Sequence, residues 1–486
     1  MGTQHRSTVT RNAPGQQEGG GRGTEKGRFR QPWIAWLLVV FVAVSLVAAA
    51  IAIVSAGQRV VQVQPADDGE GVAITAPIQA VLARQPDPAS LESHFHIEPN
   101  VEGTWSVEGK RAVFTPGRAL DPGQSYTVTL EAGLRGQGDR QLAEDYSWQF
   151  HTREPQLLYL GWTKAEAGVR QLFSAPLGDL PLQLTDHAQG VWDYTVQPQG
   201  EAIVYSVLRG DGGADLWRMD RDGGDQRVLV ACAEAACLNP AWSPDGRQLA
   251  FERREIWAGA PNLDPGASRI WLLDLESGEE RPLFAYDVAL HAPVWAPRGR
   301  RLAYTSPTIP GVEVYDLDTG ALQQFAIQWG APPAWSPDGA SLVLPELVLA
   351  GEEMVVRLVR IDLADEQMVD ISGDEDYVKD SSPAWSPGGG WIAMGRQFLD
   401  DERWTPGRQI WLTRPDASEA YGLPGVAMAD HYGLAWRPDG GALAYARADL
   451  SQGPQVVPDV SVWVFDFEPG EPRAVGQGAV LPRWLP

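Results

Sequence analysis

Lysine is scarce in this 486-residue chain: Lys26, Lys110, Lys164 and Lys379 are the only four among 39 basic residues, which face 63 carboxylates. The resulting net charge of −24 excludes a nucleic-acid partner, because phosphate binding needs the opposite field. Two cysteines, Cys232 and Cys237, are too few for a disulfide-stapled framework or a four-thiolate zinc site. The chain also has no Gly-x-Ser-x-Gly elbow, no His-Glu-x-x-His, no P-loop and no dinucleotide fingerprint, so no cofactor and no enzymatic activity are expected. Apolar residues are not lacking. At 44% hydrophobic and 21% charged, the chain can bury a sizeable core, and its length suits two or three domains.

Residues 1–32 are rich in Gly, Gln and Arg without apolar periodicity and read as a disordered cytoplasmic tail. Trp33–Val54 then runs for 22 residues without a charge. As a helix it would reach about 33 Å, enough for a hydrocarbon core of about 30 Å. Arg22, Lys26, Arg28 and Arg30 precede it and only Arg59 follows closely. The positive-inside rule therefore predicts a single-pass signal anchor in a cell membrane, with the N-terminus cytoplasmic and the rest extracytoplasmic. A signal peptide cleaved after Ala56 is the alternative, since Val54-Ser55-Ala56 has the small residues of a cleavage site. Without the tail the remainder carries −28, a field that repels anionic lipid and favours basic partners.

From residue 59 to 153 short alternating strands, such as Tyr126–Leu130 and Tyr146–Phe150, are broken by Pro-Gly turns and suit a β-sandwich. Phe95-His-Ile-Glu-Pro99, Leu120-Asp-Pro-Gly-Gln-Ser-Tyr-Thr-Val128 and the closing Trp148-Gln-Phe-His-Thr152 carry a resemblance. The segment resembles the bacterial Ig-like domain of surface-layer type, which implies a spacer or adhesive module and no catalysis. His94 and His96 stand two apart, so a strand would put both on one face, solvated or available to a metal.

The remainder repeats one phrase. Pro240-Ala-Trp-Ser-Pro-Asp-Gly246 recurs at Pro293–Gly299, Pro333–Gly339, Pro383–Gly389 and Leu434–Gly440, with a degenerate first copy at Tyr194–Gly200. Spacings of 46, 53, 40, 50 and 51 residues indicate propeller blades or a solenoid. Ser-Pro-Asp-Gly makes a tight hairpin, with Pro setting φ and Gly taking the left-handed position. The Trp before it ends a strand, and burying its ring between sheets contributes about 2–3 kcal/mol. Leu157–Leu160, Gln171–Ser174 and Gln183–Thr185 read as the second, third and fourth strands of a blade without a first, and Leu481–Trp484 as a first strand without a blade. Joined, they close a ring of seven blades, or six if the degenerate copy is not one, and leave no open edge. Residues 154–486 resemble the WD40-like propeller repeat of the TolB type. That family has six blades and an α/β N-terminal domain, so its partners do not carry over. The expected fold is all-β: an N-terminal transmembrane helix, an Ig-like sandwich and a propeller closed by its C-terminal strand.

Connections on the hairpin face are short, whereas Arg254–Ser268 with Trp257, Gln397–Gln409 with Phe398 and Trp404, and Asp449–Asp459 are long. Uneven loops on a rigid scaffold point to one working face. On it, residues just before each first strand should ring the channel mouth: Asp193 and Tyr194, Asn239, His291, Ser382, and Asp430 with His431 and Tyr432. Such a ring is either ordinary solvated lining or a site for a polar ligand or cation. Asp193 with Asp380 or Asp430 are nominees for a glycan-hydrolase pair, the least favoured reading. Asp220–Asp225 looks like part of a calcium loop but lacks the acidic residue at position twelve, and reads as a hairpin turn. Cys232 and Cys237 are spaced for a local disulfide, with free thiols the alternative. The expected role is a membrane-anchored scaffold binding a protein or cell-envelope polymer. The alternative is a sensor of a small polar ligand or sugar.

Overall fold

The computed structural model describes residues 57–486 except 164–167, 177–179, 257–267, 329–330, 376 and 454, together with Val40, Phe41 and Val44. Among the described residues no helix is long and apolar enough to cross a membrane. Apart from those three residues, which are helical, the expected span Trp33–Val54 lies outside the described residues.

Gln58–Pro486 is one unit built of β-strands. Its first part packs two four-stranded sheets. One orders Val60–Gln64, Ile78–Leu82, Arg111–Pro116 and Gly103–Glu108; the other orders Gly69–Val72, Tyr146–Thr152, Ser125–Leu130 and Phe95–Glu98. Ser125–Leu130 alternates exposed and buried residues, so Tyr126, Val128 and Leu130 enter a core shared with Phe114, Trp148 and Phe150. The Asp121 amide donates to the Tyr126 hydroxyl at 2.9 Å, which pins the Leu120–Tyr126 corner. His94 corrects an expectation. It ends a short helix, Pro88–His94, that starts at Asp87-Pro88, while His96 lies on the following strand, paired with Glu131 at 3.1 Å. The two histidines therefore do not share a strand face.

From Gln156 onward the described strands form seven four-stranded antiparallel blades. Their first, innermost strands are Ala479–Leu485 for blade one, Val191–Val196, Ala235–Trp242, His291–Trp295, Ala334–Trp335, Val378–Trp385 and Ala429–Trp436 for blade seven. Blade one is composite: Ala479–Leu485 pairs antiparallel with Gln156–Trp162, joining Gln156 to Leu485 and Gly161 to Ala479. The Pro486 carbonyl accepts from Arg153 Nε at 2.9 Å and Arg221 Nη1 at 3.3 Å.

Successive blades are stitched by one repeated bond. The indole N–H of four of the six motif tryptophans reaches back to a carbonyl in the first strand of the blade before: Trp295 to Ala241, Trp335 to Val294, Trp436 to Ala384 and Trp484 to Ala435, all at 2.9–3.1 Å, whereas the buried indoles of Trp242 and Trp385 make no such bond among the described residues. The degenerate copy keeps the function by another route, with the Tyr194 hydroxyl donating to the Leu481 carbonyl at 2.7 Å. The hairpin phrase is equally specific. Ser243 Oγ donates to Asp245 Oδ1 at 2.6 Å and accepts the Gln248 amide at 2.9 Å, while Gly246 sits at φ +70. Ser336, Asp338 and Gly339 repeat this geometry.

The two parts meet on the short-hairpin side of the ring. Thr75 Oγ1 donates to the Pro198 carbonyl at 2.9 Å. Arg153 donates to the Gly71 carbonyl at 2.8 Å and the Gln199 carbonyl at 2.9 Å. Pro198 and Gln199 lie in the first hairpin of blade two, so the Ig-like part sits against the face of tight turns.

Trp335 is 8% exposed, packs with Val314, Leu342 and Ile361, and lies under the Arg301 guanidinium. Trp335→Ala should cost about 3–5 kcal/mol, as emptying a buried aromatic site does. Denaturant unfolding measures it, and a loss under 1 kcal/mol would contradict the stitching role.

Candidate functional site

The inner wall is built from bulges. The ladder between first and second strands slips between Leu238 and Ala241, His291 and Val294, Ser381 and Ala384, and Tyr432 and Ala435. The extra residue takes left-handed backbone at Asn239 (φ +50), Ala292 (φ +52), Ser382 (φ +52) and Gly433 (φ +62), and Leu481 (φ +53) does so in the closing strand. For Ala, Ser and Leu this conformation costs about 1–2 kcal/mol each, so the wall must repay it elsewhere. At two bulges it does so with a carboxylate. Asp193 Oδ2 accepts the Asn239 amide at 2.6 Å, and Glu252 Oε1 accepts the Ala292 amide at 2.6 Å. Both bonds cross from one blade to the next.

The expected ring residues thus lie within the first strands, at or beside the bulges, rather than before them. An open cavity of about 420 Å³ brings together Asp193, Tyr194 and Asn239, with Trp242 and Arg483 in its lining. Asp193 also accepts from Ser206 Oγ. Burial raises its carboxyl to about 6, against the pull of those hydrogen bonds and of Arg483. Glu252 extends the network: it accepts from Asn239 Nδ2 at 2.7 Å and Ser268 Oγ at 2.9 Å, and lies 3.4 Å from His291 Nδ1. Tyr194 is buried and spent on closure.

Asp430 belongs to a different cavity, of about 430 Å³, which also takes in Lys379, Ser381 and Arg408. Arg408 grips Asp430 through its backbone amide at 2.8 Å and Nε at 2.7 Å, and reaches Ser381 Oγ at 2.9 Å. Burial works to raise the Asp430 carboxyl, but the Arg408 hydrogen bonds outweigh it and hold the group below its ordinary value. His431 is buried in the wall: its Nδ1–H donates to the Arg408 carbonyl at 2.8 Å, and burial lowers its pKa. Ser382 is half-buried at its bulge. The single convergent ring is therefore two separate clusters.

The loop aromatics also divide. Trp404 is 58% exposed. Phe398 ends a strand, is buried, and lies under Arg403, which bridges Glu375 and Asp400; it is not a displayed loop aromatic. Trp257 lies outside the described residues. A disulfide joins Cys232 and Cys237, whose Cα atoms are 6.1 Å apart. Asp225 pairs with Arg218 and Arg227 in a tight turn, and among the described residues no group of three or more His, Cys, Asp or Glu is placed to hold a metal ion.

Sequence reasoning nominated Asp380 but missed its buried partner, Arg396. Asp380 (0% exposed) and Arg396 (2%) face each other across one hairpin, with Nε to Oδ1 at 2.8 Å and Nη2 to Oδ2 at 2.6 Å. The Ser372 carbonyl takes a further Nη2 bond at 2.8 Å, and the Trp411 ring lies 5.4 Å away. Both hydrolase nominees besides Asp193 are thus held by arginine.

The fold and wall define a closed β-propeller carrying an immunoglobulin-like module. Residues 55–152 match the family described as bacterial Ig-like domain. Over 113 residues the chain is 32% identical to the Tol-Pal system protein TolB of Anaeromyxobacter sp. (strain K), covering 23% of this chain and 24% of that protein, about a quarter of the relative's length. It is 21% identical over 169 residues to the uncharacterized peptidase YuxL of Bacillus subtilis (strain 168), covering 35% of this chain and 23% of that protein. The structure of TolB from Acinetobacter baumannii is similar at a TM-score of 0.41 and 11% identity, covering 83% of this chain and 86% of that one. The chain is thus similar over part of its length to TolB, and its residues 55–152 match the bacterial Ig-like domain.

Two outcomes follow. Unfolded, Asp193 ionises near 3.8; folded, it keeps its proton to about 6. The folded chain binds more protons between those values, so this group's contribution is full below 3.8 and is lost as pH rises through about 6. Chemical denaturation across that range should show the wild type losing more stability than Asp193→Asn; parallel profiles would contradict it. Asp380→Ala strands a buried guanidinium and should cost about 3–5 kcal/mol in the same assay.

Proposed function

We propose that this chain is a bacterial binding scaffold, anchored in the cell membrane by Trp33–Val54 with a cytoplasmic N-terminus. In this reading the Ig-like domain lifts the propeller, whose loop-rich face meets a protein or cell-envelope polymer. One observation carries it: the Ig-like domain contacts the tight-turn face at Pro198 and Gln199, which leaves the loop-rich face for a partner. That face exposes Leu349 (66%), Met354 (50%), Trp404 (58%) and Val457 (89%), the kind of apolar display that marks interaction surfaces. A relative named as a component of the Tol-Pal system supports a protein partner.

A second reading rests on the cavity of about 420 Å³, where Asp193 and Arg483 offer paired polar contacts to a small ligand or sugar. The relative named as a peptidase keeps a hydrolase in view. Against it, Asp380 and Asp430 are tied to Arg396 and Arg408, which leaves Asp193 without a free second carboxylate from the nominated set.

With the full chain as bait, a stoichiometric envelope partner should be retained, and Trp404→Ala should weaken it about tenfold without unfolding the chain. Unchanged affinity in the variant would place the partner elsewhere. Thermal stabilisation by a small-molecule panel with no protein captured would favour the second reading.

A further inference from the structure

The closing strand departs from the other six first strands at one position. In each repeated phrase the residue before the tryptophan is small: Ala241, Val294, Ala334, Ala384 and Ala435, with Thr195 before Val196 in the degenerate copy. In Pro482-Arg483-Trp484 the same register position holds arginine. Small side chains at one level of the ring leave room beside the innermost strands. Thr195, Ala241 and Val294 line the cavity of about 420 Å³, and Arg483 joins them in it. That volume lies within the range of small-molecule sites, about 300–1,000 Å³.

Among the described residues that line the cavity, Arg483 and Asp193 are the charged ones. Arg483 is exposed, and its guanidinium lies 5.9 Å from the centre of the Tyr194 ring. Among the described residues its side chain has no hydrogen bond or ion pair. Asp193 is already committed. One of its oxygens accepts from Ser206 Oγ and the other from the Asn239 amide, so it meets Arg483 only through space. The other charge acting on Asp193 is Glu252, which sits beside His291. Burial keeps the proton on Asp193 up to about pH 6. Below that value the lining carries one positive charge with no carboxylate to balance it, in a chain whose net charge is −24.

One guanidinium sets the charge and shape of its partner. Its planar fork matches the two oxygens of a carboxylate, and one cation balances one anion. A polyanion would instead meet the acidic field of the rest of the chain. The remainder of the lining suits the body of a small molecule. Pro240, Pro293 and Pro332 offer apolar walls. The Trp295 indole is bonded to the Ala241 carbonyl, but the buried indole N–H of Trp242 has no partner among the described residues. Backbone groups add to this supply. The Ser243 and Ala296 amides donate to the Gln248 and Arg301 carbonyls of the second strands at 2.9 Å. By alternation, the N–H and C=O of Trp242 and Trp295 face away from those strands, on the channel side.

We propose that this cavity binds a small monocarboxylate, with the carboxylate on Arg483, the body against the prolines, and hydroxyl or amide groups on the inward backbone of Trp242 and Trp295. This deepens the small-ligand reading above and rests on it, by naming the charged group of the ligand and the residue that selects it. Arg483 stands on the strand that closes the ring, so the site exists only once the last strand has paired with Gln156–Trp162.

The test is titration calorimetry of the full chain at acidic pH, where Asp193 keeps its proton. Probes come in matched pairs: glucuronate against glucose, benzoate against benzamide, and lactate against lactamide. At least one monocarboxylate should bind, and its neutral counterpart should bind at least tenfold more weakly. Arg483→Gln should lose at least tenfold in affinity for that acid with an unchanged melting temperature, because the side chain bonds nothing in the folded chain. Arg483→Lys, which keeps the charge without the fork, should lose less. Affinity should fall a few-fold as pH rises through about 6 and Asp193 gains its charge beside the ligand, and Asp193→Asn should abolish that fall. Neutral probes that bind as tightly as their acids, or an acid held undiminished by Arg483→Gln, overturn the carboxylate site and keep the small-ligand reading. No binding by any probe overturns the carboxylate site and removes this cavity's support from the small-ligand reading as well.

Discussion

Ring closure is the constraint on which everything else rests. Each blade buries one face against the next, so an open array would expose a sheet face and an edge at both ends. The chain resolves this by reserving its last strand, Ala479–Leu485, for the first blade. That strand is held on three sides: by the Gln156–Trp162 ladder, by Trp484 donating to Ala435, and by Tyr194 donating to Leu481. Arg153 then ties the Pro486 carbonyl to the Ig-like domain through Gly71, so closure and domain docking share one guanidinium. The loop-rich face is thereby turned away from the Ig-like domain.

A closed ring also dictates the chemistry of its inner wall. Bulged first strands free backbone amides that cannot all find strand partners, and the wall answers with acids such as Asp193 and Glu252 that reach across blades. Much of the polar lining that looks like a binding site is consumed in this way. Asp380 and Asp430 are likewise committed to arginines. What remains open is narrower than the lining suggests: the cavity at Asp193 and Arg483.

The repeat made most of the fold legible. Trp, Pro and Gly at fixed positions have local steric meaning, and their recurrence exposed the blades, the closing strand and the degenerate copy. Tyr194 stands in for a tryptophan whose role, a hydrogen bond to the preceding blade, could be inferred only from the structure. The candidate site was less legible, because its partners are distant in sequence. Arg408 and Asp430, or Asp193 and Asn239, meet only once blades stack. Left-handed backbone at Ala292, Ser382 and Leu481 carries no glycine to announce it. His94 was misread because period-two spacing hid a short helix started by Asp87-Pro88.

Amide hydrogen exchange on the full chain reads the central claim most directly. If the final strand closes the ring, the amides of Val480, Arg483 and Leu485, which face the Gln156–Trp162 strand, will exchange as slowly as those in the middle of Ala442–Asp449. Exchange of these amides at the rate of unstructured chain, while the other blades remain protected, would contradict closure and the architecture built on it.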